Sequence, residues 1–452
     1  QLPLTFTLVI FLFIVVKQFR SGVLNKKAIN IPPGPWKLPV IGHLHHLLGH
    51  LPHHTLKDLA KKHGPLMFLQ LGEVSSITAS TPRVAKEILK VNDLIFADRA
   101  TQFSGKITTY GGIGLILSPY GGHWRQLRKI CILELLSAKK VQSFLSIRDE
   151  EVANLVETIS STVGSPVNLT QKIFSLTNEI TCRAAFGEKC KEKETFMTLM
   201  KELVKLFNGF EIVDLFPSFK FLHMITDLID VLLRLEEDNE LEFPIENNCI
   251  KALILEIFIA GSDTSSVVLE WAFSEIVKHP RIMEKAQSEV RQVLHGKTKV
   301  GQSDINELKY LKLIIKETLR LHPPAPLLTP RESRERCEIN GYEIPKGTKV
   351  IVNAWALGRD AENFKPERFE GRSVDYKGTN YEYIPFGAGK RICPGMSFGV
   401  ANIELPLAQL LYHFDWKLPN GVKSEDLEMT EIYRGTVGRK YNLYLTPTLY
   451  FP

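Results

Sequence analysis

Between Phe386 and Gly395 the chain reads Phe-Gly-Ala-Gly-Lys-Arg-Ile-Cys-Pro-Gly, which fits F-x-x-G-x-R-x-C-x-G. A thiolate that ligates iron must be deprotonated and shielded from water. Glycines such as Gly389 and Gly395 let the backbone wrap closely around the sulfur and aim amide N–H groups at it. Such outer contacts tune the redox potential of a bound metal. Arg391 carries a planar guanidinium shaped for a carboxylate, here a heme propionate. Read alone, a cysteine in a glycine-rich loop is a small buried hydrophobe. Five specified positions within ten residues instead assign Cys393 as the axial ligand of a heme iron.

Glu317-Thr318-Leu319-Arg320 places an acid and a base three residues apart, on one face of a helix. By itself that is a surface ion pair of little value. Pro366-Glu367-Arg368-Phe369 downstream supplies Arg368, which can complete a Glu317–Arg320–Arg368 cluster locking the core behind the heme. Ala260-Gly261-Ser262-Asp263-Thr264 interrupts a long apolar run with small and polar residues. Glycine beside Ser, Asp and Thr weakens the helical hydrogen-bond ladder and opens a groove for O2 and water. Asp263 and Thr264 are then placed to relay protons; the alternative is a kinked helix with a back-bonded threonine. Trp124 and Arg128, four apart, and Arg331 after Pro330 are further candidates to face the propionates.

The elements that must position these residues are mostly helical. The apolar run from about Ile250 to Lys278, closed by Pro280, predicts a long helix buried on most sides. A second helix starts near Ser303-Asp304 and stops at Pro323-Pro324. Leu66 to Ser80 and Glu338 to Val352 carry strand-like runs broken by glycines. The fold is therefore expected to be mainly α with a smaller β portion. Leu2 to Val16 is almost wholly apolar and Lys17, Arg20, Lys26 and Lys27 follow it. With a few more residues before Gln1 this makes a membrane span whose basic flank, and everything after it, stays cytosolic. Pro32-Pro33-Gly34-Pro35 reads as a stiff hinge. The expected organisation is an anchor over 1–17, a basic and Pro-rich hinge over 18–35, and one heme-binding domain over 36–452.

Composition agrees. The 452 residues are 44% apolar and 23% charged, with net charge +6, an ordinary globular balance with a mild basic excess. That excess suits an anionic membrane or an acidic partner rather than nucleic acid. Six cysteines with no Cys-x-x-Cys pair form no disulfide framework, which suits reduced thiols in the cytosol. On that side of the membrane the Asn168-Leu169-Thr170 sequon goes unused. His43, His45, His46, His50, His53 and His54 crowd one stretch, but their spacing matches no standard metal-ligand pattern, and they read as polar surface histidines. Gly111-Gly112-Ile113-Gly114 fails the dinucleotide fingerprint, and no P-loop, G-x-S-x-G or H-E-x-x-H occurs. With no nicotinamide or flavin site of its own, the chain must receive electrons from a partner. The basic residues Arg125, Lys129, Lys139 and Lys140 are the expected docking face.

In this order along nearly the whole chain, the motifs resemble the cytochrome P-450 family. Phe96-Ala97-Asp98-Arg99, Trp124-Arg125-Gln126-Leu127-Arg128-Lys129 and Tyr383-Ile384-Pro385-Phe386-Gly387 look like a plant microsomal member, one that oxidises terpenoids, alkaloids or phenolics. The resemblance implies that family's fold with an N-terminal anchor helix, heme b, and an endoplasmic reticulum location. It implies NADPH used through NADPH–cytochrome P-450 reductase, with cytochrome b5 as a second donor, and monooxygenation of a small lipophilic substrate by O2. It places substrate contacts at Ile107 to Ile113, Phe258 to Thr264 (Phe258 and Ala260 foremost), Ala325 to Leu328 with Leu327, and Gly435 to Val437 with Thr436. Other readings are an O2-independent heme-thiolate isomerase or dehydratase, against which Thr264 argues, and a non-catalytic copy. The last arises because the likeness is interrupted twice. Ile225-Thr226 passes almost directly into Asp227-Leu228, without the helices that roof the pocket, and Arg359-Asp360 jumps to Ala361-Glu362 without a Trp-containing spacer.

Overall fold

The computed structural model describes residues 30–100, 103–189, 193–206, 212–218, 245–297, 300–359 and 361–451. The anchor over 1–17, most of the hinge, the Ile225–Asp227 junction and Asp360 lie outside them. The helical frame is built chiefly from α1 (Pro52–His63), α2 (Gly122–Ile130), α3 (Leu145–Ser160), α4 (Leu169–Phe186), α5 (Ile245–Lys278), α6 (Pro280–Leu294), α7 (Lys309–Leu321) and α8 (Met396–His413). Short strands complete it: β1 (Leu66–Leu71), β2 (Val74–Ala79), β3 (Asp98–Arg99), β4 (Val167–Asn168), β5 (Arg331–Glu332), β6 (Cys337–Ile339), β7 (Tyr342–Ile344), β8 (Lys349–Val352), β9 (Phe414–Lys417), β10 (Glu431–Arg434), β11 (Thr436–Arg439) and β12 (Tyr444–Leu449). The mainly α fold with a smaller β part is as the sequence predicts.

The apolar run predicted as a long helix is α5, 34 residues that are apolar around most of their circumference. It is the one helix among the described residues long and apolar enough to cross a membrane. Here it is the core element, packed by α4, α7 and α8. It ends at Lys278, and Pro280 opens α6, where its missing N–H is not needed. The helix expected from Ser303 to Pro323 is in fact two. A short helix, Gln302–Glu307, ends at Leu308, whose ψ of 76° breaks the turn. The reason lies in α6: the Glu289 carboxylate accepts from the backbone N–H of Tyr310 (2.7 Å) and Leu311 (2.9 Å). These otherwise orphaned donors are capped from a neighbouring helix, which starts α7 afresh.

One sheet has the order β1-β2-β8-β5-β3. The predicted strand-like runs fall in its β1–β2 hairpin, in the separate β6–β7 hairpin and in β8. The antiparallel register between β3 and β5 sets Arg99 opposite Arg331. A two-stranded ladder therefore carries two guanidiniums to the edge of the helical core.

Candidate active site

Cys393 lies in the loop between β8 and α8. Its N–H donates to the Phe386 carbonyl at 2.9 Å, closing the loop on itself. Gly389 has φ of +69°, in the region glycine favours, and a Cβ there would fall 2.3 Å from the Leu89 carbonyl oxygen. No other residue type fits at that point. Asp93 grips the same turn, its carboxylate accepting from Lys390 N–H (2.7 Å) and from Arg331 (2.7 Å). Gly395 immediately precedes α8, and its N–H points at the Cys393 sulfur. The thiol thus sits at a helix N-terminus, where negative charge is favoured. Burial nonetheless pushes the Cys393 thiol up, and Gly395 N–H and Arg128 only partly oppose this. A buried thiol of this kind is inert until a metal takes its proton's place.

Cys393 opens onto a cavity whose wall also carries Arg99, Trp124, Arg128, Arg331, Phe386, Arg391 and Gly395. The guanidiniums are unequally served. Arg331 has Asp93 and the Ala388 carbonyl (2.7 Å). Arg391 donates only to the carbonyls of Ala97 (2.7 Å), Leu115 (3.4 Å) and Ser118 (2.5 Å), and stacks 4.3 Å from the Trp124 ring. Arg99 donates to the Ile116 (3.2 Å) and Thr329 (2.5 Å) carbonyls. Among the described residues no carboxylate lies within ion-pair distance of Arg99, Arg128 or Arg391. Burial and then the repulsion of Arg331, Arg391 and Arg128 hold Arg99 well below the usual arginine range. Burial likewise brings Arg391 down to about 10. Clustered cations without anions, beside a thiol that waits for a metal, fit a heme. Its iron would take Cys393 and its two propionates would supply the missing negative charge. Trp124 differs from expectation in one respect: its Nε1–H is already given to the Leu115 carbonyl (3.0 Å), so it serves as a platform for Arg391.

The facing wall is α5, through Ala260, Gly261, Thr264 and Ser265. The helix runs unbroken here. Thr264 Oγ1 donates back to the Ala260 carbonyl at 2.5 Å, the back-bonded arrangement. A Cβ at Gly261 would just touch Phe398 and Thr181 at 3.4 Å, so packing alone does not demand a glycine there. Asp263 points elsewhere, its Oδ2 accepting from Thr436 Oγ1 at 2.7 Å, and burial raises its carboxyl. Thr436, expected to touch substrate, instead meets Asp263.

The remaining expected substrate positions divide. Ala325 and Leu328 line the cavity. Leu327 turns away into the cluster of Leu47, Leu56, Leu69 and Ile351, because Leu328, at φ of +51°, closes a turn on the Ala325 carbonyl. Phe258 is buried against Cys182, Met200 and Leu203, on the far side of α5. Val437 is held by its backbone between Pro324 and Trp271. Ile107 and Ile113 leave the wall to Leu115 and Ile116. The cause is Glu256, a fully enclosed α5 residue that accepts from Ile116 N–H at 3.0 Å and draws this loop onto the helix. A Cβ at Gly114 would sit 2.4 Å from that carboxylate. Asp93, Arg99 and Glu256 were missed as site residues. Only Arg99 left a trace in the sequence, within Phe96–Arg99.

Behind the loop, Glu317 is fully buried and takes Arg320 in two parallel bonds (2.7 and 2.8 Å) and Arg368 at 3.3 Å. Arg320 spends its other N–H groups on the carbonyls of Gly358, Ala361 and Asn363. The exposed Lys139 and Lys140 lie close in sequence to α2.

Comparison with known proteins agrees with the fold. The sequence profile of the cytochrome P450 family matches residues 32–226 and 222–445. Desmethyl-deoxy-podophyllotoxin synthase of Sinopodophyllum hexandrum is 55% identical over 98% of this chain and 96% of its own length. Premnaspirodiene oxygenase of Hyoscyamus muticus is 51% identical (98% and 97%), and germacrene A hydroxylase of Barnadesia spinosa 49% (98% and 97%). Among solved structures, a zebra fish cytochrome P450 with abiraterone shares the fold at 22% identity, with a TM-score of 0.72 over 88% of this chain and 99% of that one. The first alignment has 489 positions, whereas 98% of 452 residues is about 443, so about 46 positions of that relative have no counterpart here. The two profile matches meet at 222–226, beside the Ile225–Asp227 junction.

Proposed function

This chain belongs to the cytochrome P450 family and is a heme-thiolate monooxygenase that takes a lipophilic substrate and O2; on that premise we propose that the substrate is a small plant terpenoid, with alkaloids and phenolics as the wider class. The named relatives include a premnaspirodiene oxygenase and a germacrene A hydroxylase, and the α5 wall is mostly apolar, with Leu253, Ile257, Ala260, Gly261 and Val268 beside Glu256, whose carboxyl is taken by Ile116 N–H. When bound, the heme supplies O2 activation. The chain's own part follows from its residues. Cys393 holds the iron, with Gly395 N–H and the start of α8 steadying the thiolate. Arg99, Arg128 and Arg391 hold the propionates. Thr264 stands on the cavity wall across from Cys393, where turning its hydroxyl away from the Ala260 carbonyl would free it for a proton relay, whereas Asp263, gripped by Thr436, would steady this stretch of α5 from outside the cavity. The single observation that carries the reading is this pairing of a buried thiol and a mid-helix hydroxyl on opposite walls of one cavity.

Residues 1–17 anchor the chain in the endoplasmic reticulum membrane, 18–35 form the hinge, and 36–452 are the cytosolic catalytic domain. Electrons come from NADPH through NADPH–cytochrome P-450 reductase, with cytochrome b5 as a second donor. The test is reconstitution with reductase, NADPH and a panel of sesquiterpene hydrocarbons. Oxygenated product should depend on NADPH and O2, and Cys393→Ala should abolish the long-wavelength carbon-monoxide band of the reduced protein. Thr264→Ala should keep heme and NADPH use but release more peroxide per product. Product without O2 would favour an isomerase or dehydratase. The second reading, a non-catalytic copy, is favoured by the roughly 46 positions without counterpart, and full heme loading without turnover on any panel member would support it.

A further inference from the structure

Six histidines crowd the stretch from His43 to His54, and two of them share one destination. His53 and His54 stand on the first turn of α1 and meet Glu431, the first residue of β10, which lies 378 and 377 positions away in sequence, respectively. His53 Nε2 is 3.1 Å and His54 Nε2 3.0 Å from the same carboxylate oxygen, Glu431 Oε2. All three ligand atoms lie within 4.8 Å of one another. We propose that His53, His54 and Glu431 form a three-ligand site for a divalent first-row metal of the zinc class, with the fourth position open to water beside His54. None of the three lines the cavity at Cys393.

The donor set, two imidazoles and a carboxylate, is one that zinc takes when a position is left for solvent. With bonds of 2.0–2.1 Å, the edges of a tetrahedron are roughly 3.3 Å. The two His–Glu431 separations of 3.0 and 3.1 Å therefore need to open by a few tenths of an ångström, and the third edge, between the two imidazoles, lies within 4.8 Å and closes by ring rotation. The rings are already held. His54 stacks on Trp355 (4.2 Å, 24°), His53 meets the same ring edge-on (5.0 Å), and Asn353 Nδ2 donates to the His53 carbonyl at 2.8 Å. Glu431 is fixed on its other side, Oε1 lying 3.6 Å from His322 Nδ1, and His322 is held by Glu275 (2.6 Å) and the Trp271 ring. Outer contacts of this kind orient metal ligands.

Access runs from one side. The His54 side chain is 43% exposed, against 0% for His53 and 8% for Glu431. Of the nearby cations, Lys57 and Arg359 share one carboxylate, Glu362 (2.9 and 2.8 Å), so about one positive charge is left for the Glu431 carboxylate to offset when a dication binds. A hydrogen-bonded cluster without metal is the competing account. His53 Nδ1 is buried without a partner under either account, so it does not decide between them.

The experiment uses the full heme-loaded chain, stripped with chelator and titrated with zinc chloride, with zinc per heme measured after gel filtration. One zinc per chain is expected. His54→Ala, at a half-exposed position, should keep its heme and bind zinc at least tenfold more weakly. The isosteric Glu431→Gln is the second variant and should do the same. Zinc should raise the thermal midpoint of the parent and not of His54→Ala. His45→Ala/His46→Ala should bind as the parent does. Absence of stoichiometric zinc would overturn the proposal. So would undiminished binding in both His54→Ala and Glu431→Gln, or loss of binding in the His45/His46 variant, which would place the metal on surface histidines.

Discussion

Two buried groups of charge flank the Cys393 loop, and they are built on opposite terms. Behind the loop, Glu317, Arg320 and Arg368 satisfy one another, and the spare N–H groups of Arg320 find carbonyls. In front of it, Arg99, Arg128 and Arg391 face the cavity with carbonyls and an aromatic ring but no ion-paired acid among the described residues. The first group is complete once the chain folds. The second stores repulsion that an anionic cofactor relieves, so folding and cofactor binding are divided between neighbouring clusters.

The comparison breaks most visibly at Glu317. Glu317→Gln leaves the buried Arg320 and the partly exposed Arg368 against an amide, and removing one partner of a buried ion pair costs about 3–5 kcal/mol. Heme-free and heme-loaded protein should both lose that stability, measured by denaturant unfolding. If only the heme-loaded form is weakened, the cluster belongs to the cofactor rather than the fold. Arg99→Met tests the other side. It removes one of three repelling cations, so the heme-free chain should be as stable as the parent or more so. Heme retention should fall about 10–100-fold, the value of a charge-assisted hydrogen bond at about 1.5–3 kcal/mol. A loss of stability without heme would show that Arg99 is structural. A smaller effect is expected from the exposed cations. Lys139→Glu/Lys140→Glu should slow reduction by the reductase several-fold at low ionic strength and converge on the parent as salt rises. Equal rates at low salt would remove this face from the docking site.

These clusters also show what a sequence can disclose. Cys393, Arg391 and Glu317–Arg320 are legible because their partners are close in the chain or their spacing is rigid. The long helix α5 is legible because an apolar run of that length has few other fates. The rest depends on long-range pairing. Asp93 reaches Arg331 across 238 positions, and Glu256 reaches Ile116 across 140. No local pattern marks either. The break at Leu308 was hidden because its cause, Glu289, lies in another helix. Phe258 and Leu327 are expected at the substrate from the family resemblance, but helical and turn geometry send them to other faces than their neighbours Ala260 and Leu328, which line the cavity.

Glu256 gives the finest test of the contrast, because its charge is felt by both Arg99 and Arg391. Were it ionised, the front cluster would own a counter-charge and would need the cofactor less. Burial instead pushes its carboxyl up to about 7, against the donation of Ile116 N–H and its neighbours. The ordinary carboxyl value is 4.5. Between these values the folded chain keeps a proton that the unfolded chain releases. The contribution of Glu256 to stability is therefore full below the lower value and is lost as pH rises through about 7. Glu256→Gln keeps an oxygen for Ile116 N–H and has no proton to lose. The stability of the parent relative to Glu256→Gln should then fall from pH 5 to pH 8, by of the order of 1 kcal/mol, read as a few degrees in the difference between their heme-free thermal midpoints. A difference that is flat across that range would mean that Glu256 is ionised throughout. The arginines would then carry their own anion, and the division between a self-sufficient cluster and a waiting one would fail.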